Sequence, residues 1–144
     1  MPSSTRLPNI LMLMADQLRY DSVGAAKLRG VKTPNLDRLA AEGIFFENAF
    51  TPMPVCAPAR QCLLSGRDVN CQGTIWNYDM LPVISIKPNG HYWTDNLRAA
   101  GYRTAFVGKW HSSQYDGPEH FGFERNIPIE DYKAMIKEKY PDLR

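Results

Sequence analysis

Three short stretches of the chain carry side chains able to do chemistry. Asp16 and Gln17 follow an apolar run, residues 9–14, and offer a carboxylate and an amide oxygen, hard donors of the kind a divalent cation takes. Cys56-Ala57-Pro58-Ala59-Arg60 follows two prolines, Pro52 and Pro54, and places Arg60 four residues after Cys56, one helical turn away on the same face. If a helix starts at Cys56, its unpaired N–H groups and the guanidinium both favour a thiolate, or any oxyanion in its place. Lys109 and His111 add a cation and a titratable ring.

The elements that must hold these residues follow from apolar spacing and chain-breaking residues. Residues 9–14 form a continuous apolar run and read as a strand buried on both faces. Thr33-Pro34 supplies a cap and a first-turn proline, Leu36, Leu39 and Ala40 share a face, and Gly43 ends a helix over residues 34–42. Residues 44–50 are rich in aromatics and read as a second strand. A helix then starts near Ala57-Pro58 and stops at Gly66. Thr94 caps a helix over 95–100 that Gly101 ends, and residues 102–107 read as a third strand. Residues 71–92 read as loops, and Tyr132, Met135 and Ile136 mark an amphipathic helix over 130–140.

This alternation predicts an α/β fold, a mostly parallel sheet flanked by helices. In such sheets ligands bind beyond the carboxyl ends of the strands. Asp16-Gln17, the Cys56 loop, and Lys109 with His111 each follow an expected strand.

Composition narrows the function classes. The 144 residues carry 17 basic and 15 acidic side chains without a basic stripe, so nucleic acid is not an expected partner. The short opening apolar run is interrupted by Asp16, which predicts no membrane span and no signal peptide, and so a cytoplasmic location. Cys56, Cys62 and Cys71 are odd in number and lack metal-type pair spacing; Cys62 and Cys71 read as structural thiols. His91 and His120 stand in no motif and are set aside, and Arg19 with Asp21 reads as a supporting ion pair. Trp76, Trp93 and Trp110 read as packing residues, with Trp110 placed to orient Lys109 and His111.

Cys56-Ala57-Pro58-Ala59-Arg60 resembles the Cys-x-Pro-x-Arg signature of the sulfatases, a branch of the alkaline phosphatase superfamily. Other segments resemble the family in the same order: Pro8-Asn9-Ile10-Leu11 leading to Asp16-Gln17, the run from Thr33 through Pro34 to Ala40, Gly101-Tyr102-Arg103-Thr104, and Gly108-Lys109-Trp110-His111. The likeness covers residues 9–123.

The resemblance implies an alkaline phosphatase-like fold and hydrolysis of small-molecule sulfate esters. Cys56 would be oxidised by a maturation enzyme to formylglycine, whose hydrate attacks sulfur. Asp16, Gln17 and the Cys56-derived group would ligate a divalent metal, Ca2+ first, with Mn2+ or Mg2+ as alternatives. Arg60, Lys109 and His111 would act on the diol, the transferring group and the leaving oxygen. Asn77 matches a substrate-contacting Asn of the phosphonate hydrolase branch, while a loop Asn making local backbone bonds is an equal reading of it; Lys109 and His111 would also touch substrate. Gln17, where many sulfatases have Asp, resembles choline sulfatases and phosphonate monoester hydrolases, so phosphonate or phosphate ester cleavage is the alternative chemistry. Ala59 departs from the usual Ser of the signature.

Family members are several hundred residues long, and their remaining metal ligands come from a downstream strand. Residues 1–144 are therefore expected to be the N-terminal portion of a catalytic domain. A contrasting reading is a truncated, catalytically silent piece.

Overall fold

The computed structural model describes residues 7–80 and 85–142. The chain divides into two compact units, Met1–Ala49 and Phe50–Arg144.

In the first unit α1 spans Pro34–Glu42 and starts on the proline, as the sequence predicts. Thr33 does not cap it in the expected way. Its hydroxyl donates to Asp37 Oδ1 at 2.8 Å and accepts the Gly24 N–H at 2.8 Å, while Asp37 Oδ2 accepts the Thr33 N–H. The pair thus fastens the 3-10 turn Gly24–Ala26 to the start of α1. Asp21 in the preceding 3-10 turn, Tyr20–Ser22, binds Arg19 at 2.7 Å, the ion pair expected, and Arg29 at 2.6 Å.

The expected strands over 9–14 and 44–50 do not form ladders among the described residues. A strand exists only through a hydrogen-bonded neighbour, and a run apolar on both faces needs cover on both. Here Ile10, Leu11, Met12, Leu13 and Met14 are exposed, Leu11 by 81%. Phe45 instead stacks on Tyr20 at 5.7 Å.

In the second unit α2 spans Cys56–Ser65 and ends where Gly66 turns left-handed, φ 67°. A short α3, Val69–Gln72, follows Asp68, whose carboxylate accepts the Asn70 N–H. Helix α4, Trp93–Ala99, starts from Tyr92 rather than Thr94. Asp95 reaches back to the Tyr92 N–H at 3.1 Å, and Thr94 is buried with its hydroxyl on the Phe121 carbonyl at 2.6 Å. The helix closes as expected at Gly101, φ 89°, whose N–H meets Arg98 O while Tyr102 N–H meets Leu97 O.

Strand β1, Ala105–Gly108, lies slightly later than predicted and pairs in parallel with β2, Arg125–Pro128, in the register Ala105 to Arg125 through Gly108 to Pro128. The pair and its flanking helices make the unit α/β. Strand β2 was not expected, because Arg-Asn-Ile-Pro shows no apolar alternation. The tail helix α5, Ile129–Lys139, forms where its spacing predicts.

Leu64, Ile86, Tyr92, Phe121 and Phe123 form the core, with Trp93, Phe106 and Trp110 packed against them. The aromatic rings meet mostly edge to face, with Tyr92 and Phe121 at 5.0 Å and Phe106 and Phe123 at 5.4 Å. Gln61 on α2 is fully buried with both amide atoms lacking a hydrogen-bond partner among the described residues.

Candidate active site

Cys56 begins α2, and the residue before it, Val55, has no side chain able to cap. Asn77 does so from a loop twenty residues on, its Oδ1 accepting the Ala57 N–H at 2.9 Å. Cys56 is half-buried at this N-terminus, where the helix dipole favours negative charge. One turn along, Arg60 is buried, and its Nη1 donates to the Lys109 carbonyl at 2.7 Å. This bond brings the helix of Cys56 to the loop that leaves β1.

That loop turns sharply. Gly108 has φ 106° and His111 has φ 50°, a left-handed backbone uncommon for a side chain of this size. Gln17, the other half of the expected metal pair, has φ 56°. Among the described residues, Lys27 is the one further non-glycine with positive φ. Two of three such positions therefore fall on residues that the sequence singled out for chemistry.

His111 lies against Tyr78, ring centroids 4.7 Å apart and nearly perpendicular, and its Nε2 is 3.8 Å from Asp79 Oδ1. The Tyr78 hydroxyl donates to Ser113 O at 3.0 Å. Burial pushes its pKa up to about 12, the Asp79 charge adds to this, and Arg60 opposes it. Trp110 points into the core against Phe106 and Phe121, with its N–H on Asp116 O at 2.7 Å, so it anchors the loop between Lys109 and His111. Tyr78 and Asp79 stand in no motif, and their adjacency to Asn77 was the sequence's sole pointer to them.

The second unit thus gathers Cys56, Arg60, Asn77, Lys109 and His111. Asp16 and Gln17 belong to the first unit, at the turn closing the apolar run. His91 and His120 stay apart: His91 Nε2 is 3.0 Å from Asn96 Oδ1, and His120 is exposed beside Glu119. Burial pushes the Cys62 thiol up, with Asp68 and Cys71 contributing, as suits a structural cysteine.

The family model described as sulfatase matches residues 8–142. The chain belongs to the sulfatase family. This sulfatase sequence is 41% identical to the sulfatase YidJ of Escherichia coli strain K12, over 80% of this chain and 22% of that protein. It is 35% identical to an ulvan-active sulfatase of Formosa agariphila, over 89% of this chain and 24% of the relative. Rat N-acetylgalactosamine-6-sulfatase is 35% identical, over 95% of this chain and 29% of the relative. The crystal structure of the sulfatase YidJ from Bacteroides fragilis superposes with a TM-score of 0.65 at 38% identity, covering 72% of this chain and 23% of that one. The sulfatase chain spans between a fifth and a third of the length of these relatives. Its fold is that of its structural neighbour, the alkaline phosphatase-like α/β class expected from the sequence.

Proposed function

We propose that the protein to which these residues belong hydrolyses sulfate esters through a formylglycine made from Cys56 by a maturation enzyme. The observation that carries this reading is the Arg60 to Lys109 carbonyl bond, which draws the two signature segments of the second unit into one place.

A sulfate ester repels nucleophiles through its charged oxygens, so cations must meet those oxygens. Arg60 and Lys109 supply two. The N-terminal N–H groups of α2 favour an oxyanion at position 56. His111 is the residue suited to give a proton to the departing alkoxide oxygen. Formylglycine, when hydrated, supplies one hydroxyl to attack sulfur and a second whose deprotonation releases sulfate.

Asp16 and Gln17 have the donor chemistry that a hard divalent cation takes and would ligate one, with Ca2+ first and Mn2+ or Mg2+ as alternatives. Among the described residues no three His, Cys, Asp or Glu side chains cluster. When bound, the cation would supply positive charge at the ester oxygens. The relatives found carry sulfatase names, which favours sulfate over phosphonate or phosphate esters.

The deciding experiment is peptide mass spectrometry of the segment spanning Cys56 after expression beside a maturation enzyme. A loss of about 18 Da, sulfur exchanged for oxygen with two hydrogens removed, is expected. An unmodified thiol would replace this reading with a catalytically silent domain.

A further inference from the structure

Three consecutive residues, Asn77, Tyr78 and Asp79, reach different parts of the candidate site. Asn77 Oδ1 accepts the Ala57 N–H beside Cys56. Tyr78 lies edge-on to the His111 ring and hydrogen-bonds the carbonyl of Ser113 two residues beyond it. Asp79 Oδ1 sits 3.8 Å from His111 Nε2. The three share one tight turn, closed by the Met80 N–H on the Asn77 carbonyl at 3.1 Å. Such a turn fixes the backbone directions from which the three side chains leave.

We infer that the turn at residues 77–79 is a positioning device, setting the first turn of α2 and the imidazole of His111 in one frame. The inference rests on the sulfatase reading for what those two groups do. It extends that reading by giving roles to Tyr78 and Asp79, and to Asn77 a role on the protein backbone rather than on substrate.

Each contact addresses a specific need. The start of α2, where Cys56 stands, lacks a capping side chain of its own, so a cap from outside fixes the direction of its first N–H groups. His111 sits on a left-handed backbone, which holds only where neighbours over-determine it. The Tyr78 ring and its bond to Ser113 O constrain the ring and the chain after it. Further bonds from Ser85 Oγ to Ser113 Oγ at 3.2 Å and from Gln114 N–H to Ser85 Oγ at 3.1 Å hold the same loop. Asp79 adds a carboxylate on the Nε2 side of the ring.

The test uses NMR of the protein that carries this segment, in its thiol form with labelled histidine, the His111 ring signals being assigned by their loss in His111→Asn. Asn77→Ala should speed exchange of the Ala57 amide about fivefold, the worth of one ordinary hydrogen bond, and Asn77→Asp should restore it. Tyr78→Leu should move the His111 ring-proton signals, while Tyr78→Phe, which keeps the ring and loses only the bond to Ser113 O, should move them less. Asp79→Asn, at an exposed side chain, should move the His111 ring-nitrogen signals with the rest of the spectrum unchanged.

An unaltered Ala57 exchange rate in Asn77→Ala, or unmoved His111 signals in both Tyr78→Leu and Asp79→Asn, would overturn the inference. None of these readouts depends on turnover. A chain that hydrolyses no sulfate ester therefore still decides the question, and the sulfatase reading stands or falls separately on the mass of the Cys56 peptide.

Discussion

Arg60 donates through Nη1 to the backbone carbonyl of Lys109 at 2.7 Å, across a sequence separation of 49 residues. A side chain of the Cys56 helix thereby sets the backbone from which Lys109 and His111 project. The bond uses a carbonyl, so it constrains the loop whatever the Lys109 side chain does.

Arg60→Lys is therefore expected to behave as a disruptive change. Lysine keeps the charge but loses the planar fork and its reach to the Lys109 carbonyl. Thermal or denaturant unfolding should show a loss of about 1.5 to 3 kcal/mol, the range for a charge-assisted hydrogen bond. A midpoint equal to the parent's would mean that the bond contributes nothing in solution.

Tyr78 should titrate last among the seven tyrosines in an absorbance titration, near pH 12, because burial disfavours its phenolate. Its folded pKa lies above the ordinary value of 10. The stability it contributes is therefore fully present below about pH 10 and is lost as pH climbs from there toward about 12. Tyr78→Phe should remove both the late phase and this part of the alkaline instability; a late phase that survives the substitution would assign it to another residue.

Gln61 offers the opposite case, a substitution that should stabilise. Its amide is buried without a hydrogen-bond partner among the described residues, and such a group costs about 1 to 3 kcal/mol. Gln61→Met keeps the volume and removes the polar atoms, so its denaturation midpoint should rise. A fall would show that the amide is satisfied in solution.

Two threonine hydroxyls pin neighbouring carbonyls, Thr94 on Phe121 O and Thr104 on Gly122 O, both at 2.6 Å. Thr94→Val leaves a buried carbonyl unpaired and should cost about 1 to 3 kcal/mol. Gly122→Ala should cost more: the residue has φ 82°, and an added Cβ would stand 2.8 Å from Thr94 Oγ1. If alanine at 122 is tolerated better than valine at 94, the backbone there is not held as described.

Helices were legible because their signals are local. Pro34 and Gly43 bracket α1, and the spacing of Cys56 and Arg60 on α2 is that of one helical turn. Strands were less so, since residues 9–14 have the composition of a strand but a ladder depends on a neighbour that composition does not supply. For the site, Cys56, Arg60, Lys109 and His111 stood out through their motifs. Asn77 stood out as matching a substrate-contacting Asn, with a loop Asn bonding the backbone as the equal alternative, and its amide oxygen is engaged with the start of α2. Tyr78 and Asp79 escaped notice because their importance comes from packing against a residue more than thirty positions away.

The left-handed backbone at His111 bears on how any mutational dissection of this protein is interpreted. Alanine there would combine the loss of an imidazole with a Cβ held where alanine is disfavoured, and glycine would combine it with new freedom of the unfolded chain. Asparagine, which tolerates this conformation, isolates the ring from the backbone that carries it. The difference between the alanine and asparagine variants would then report the conformational share of a deficit that a single substitution would credit wholly to chemistry.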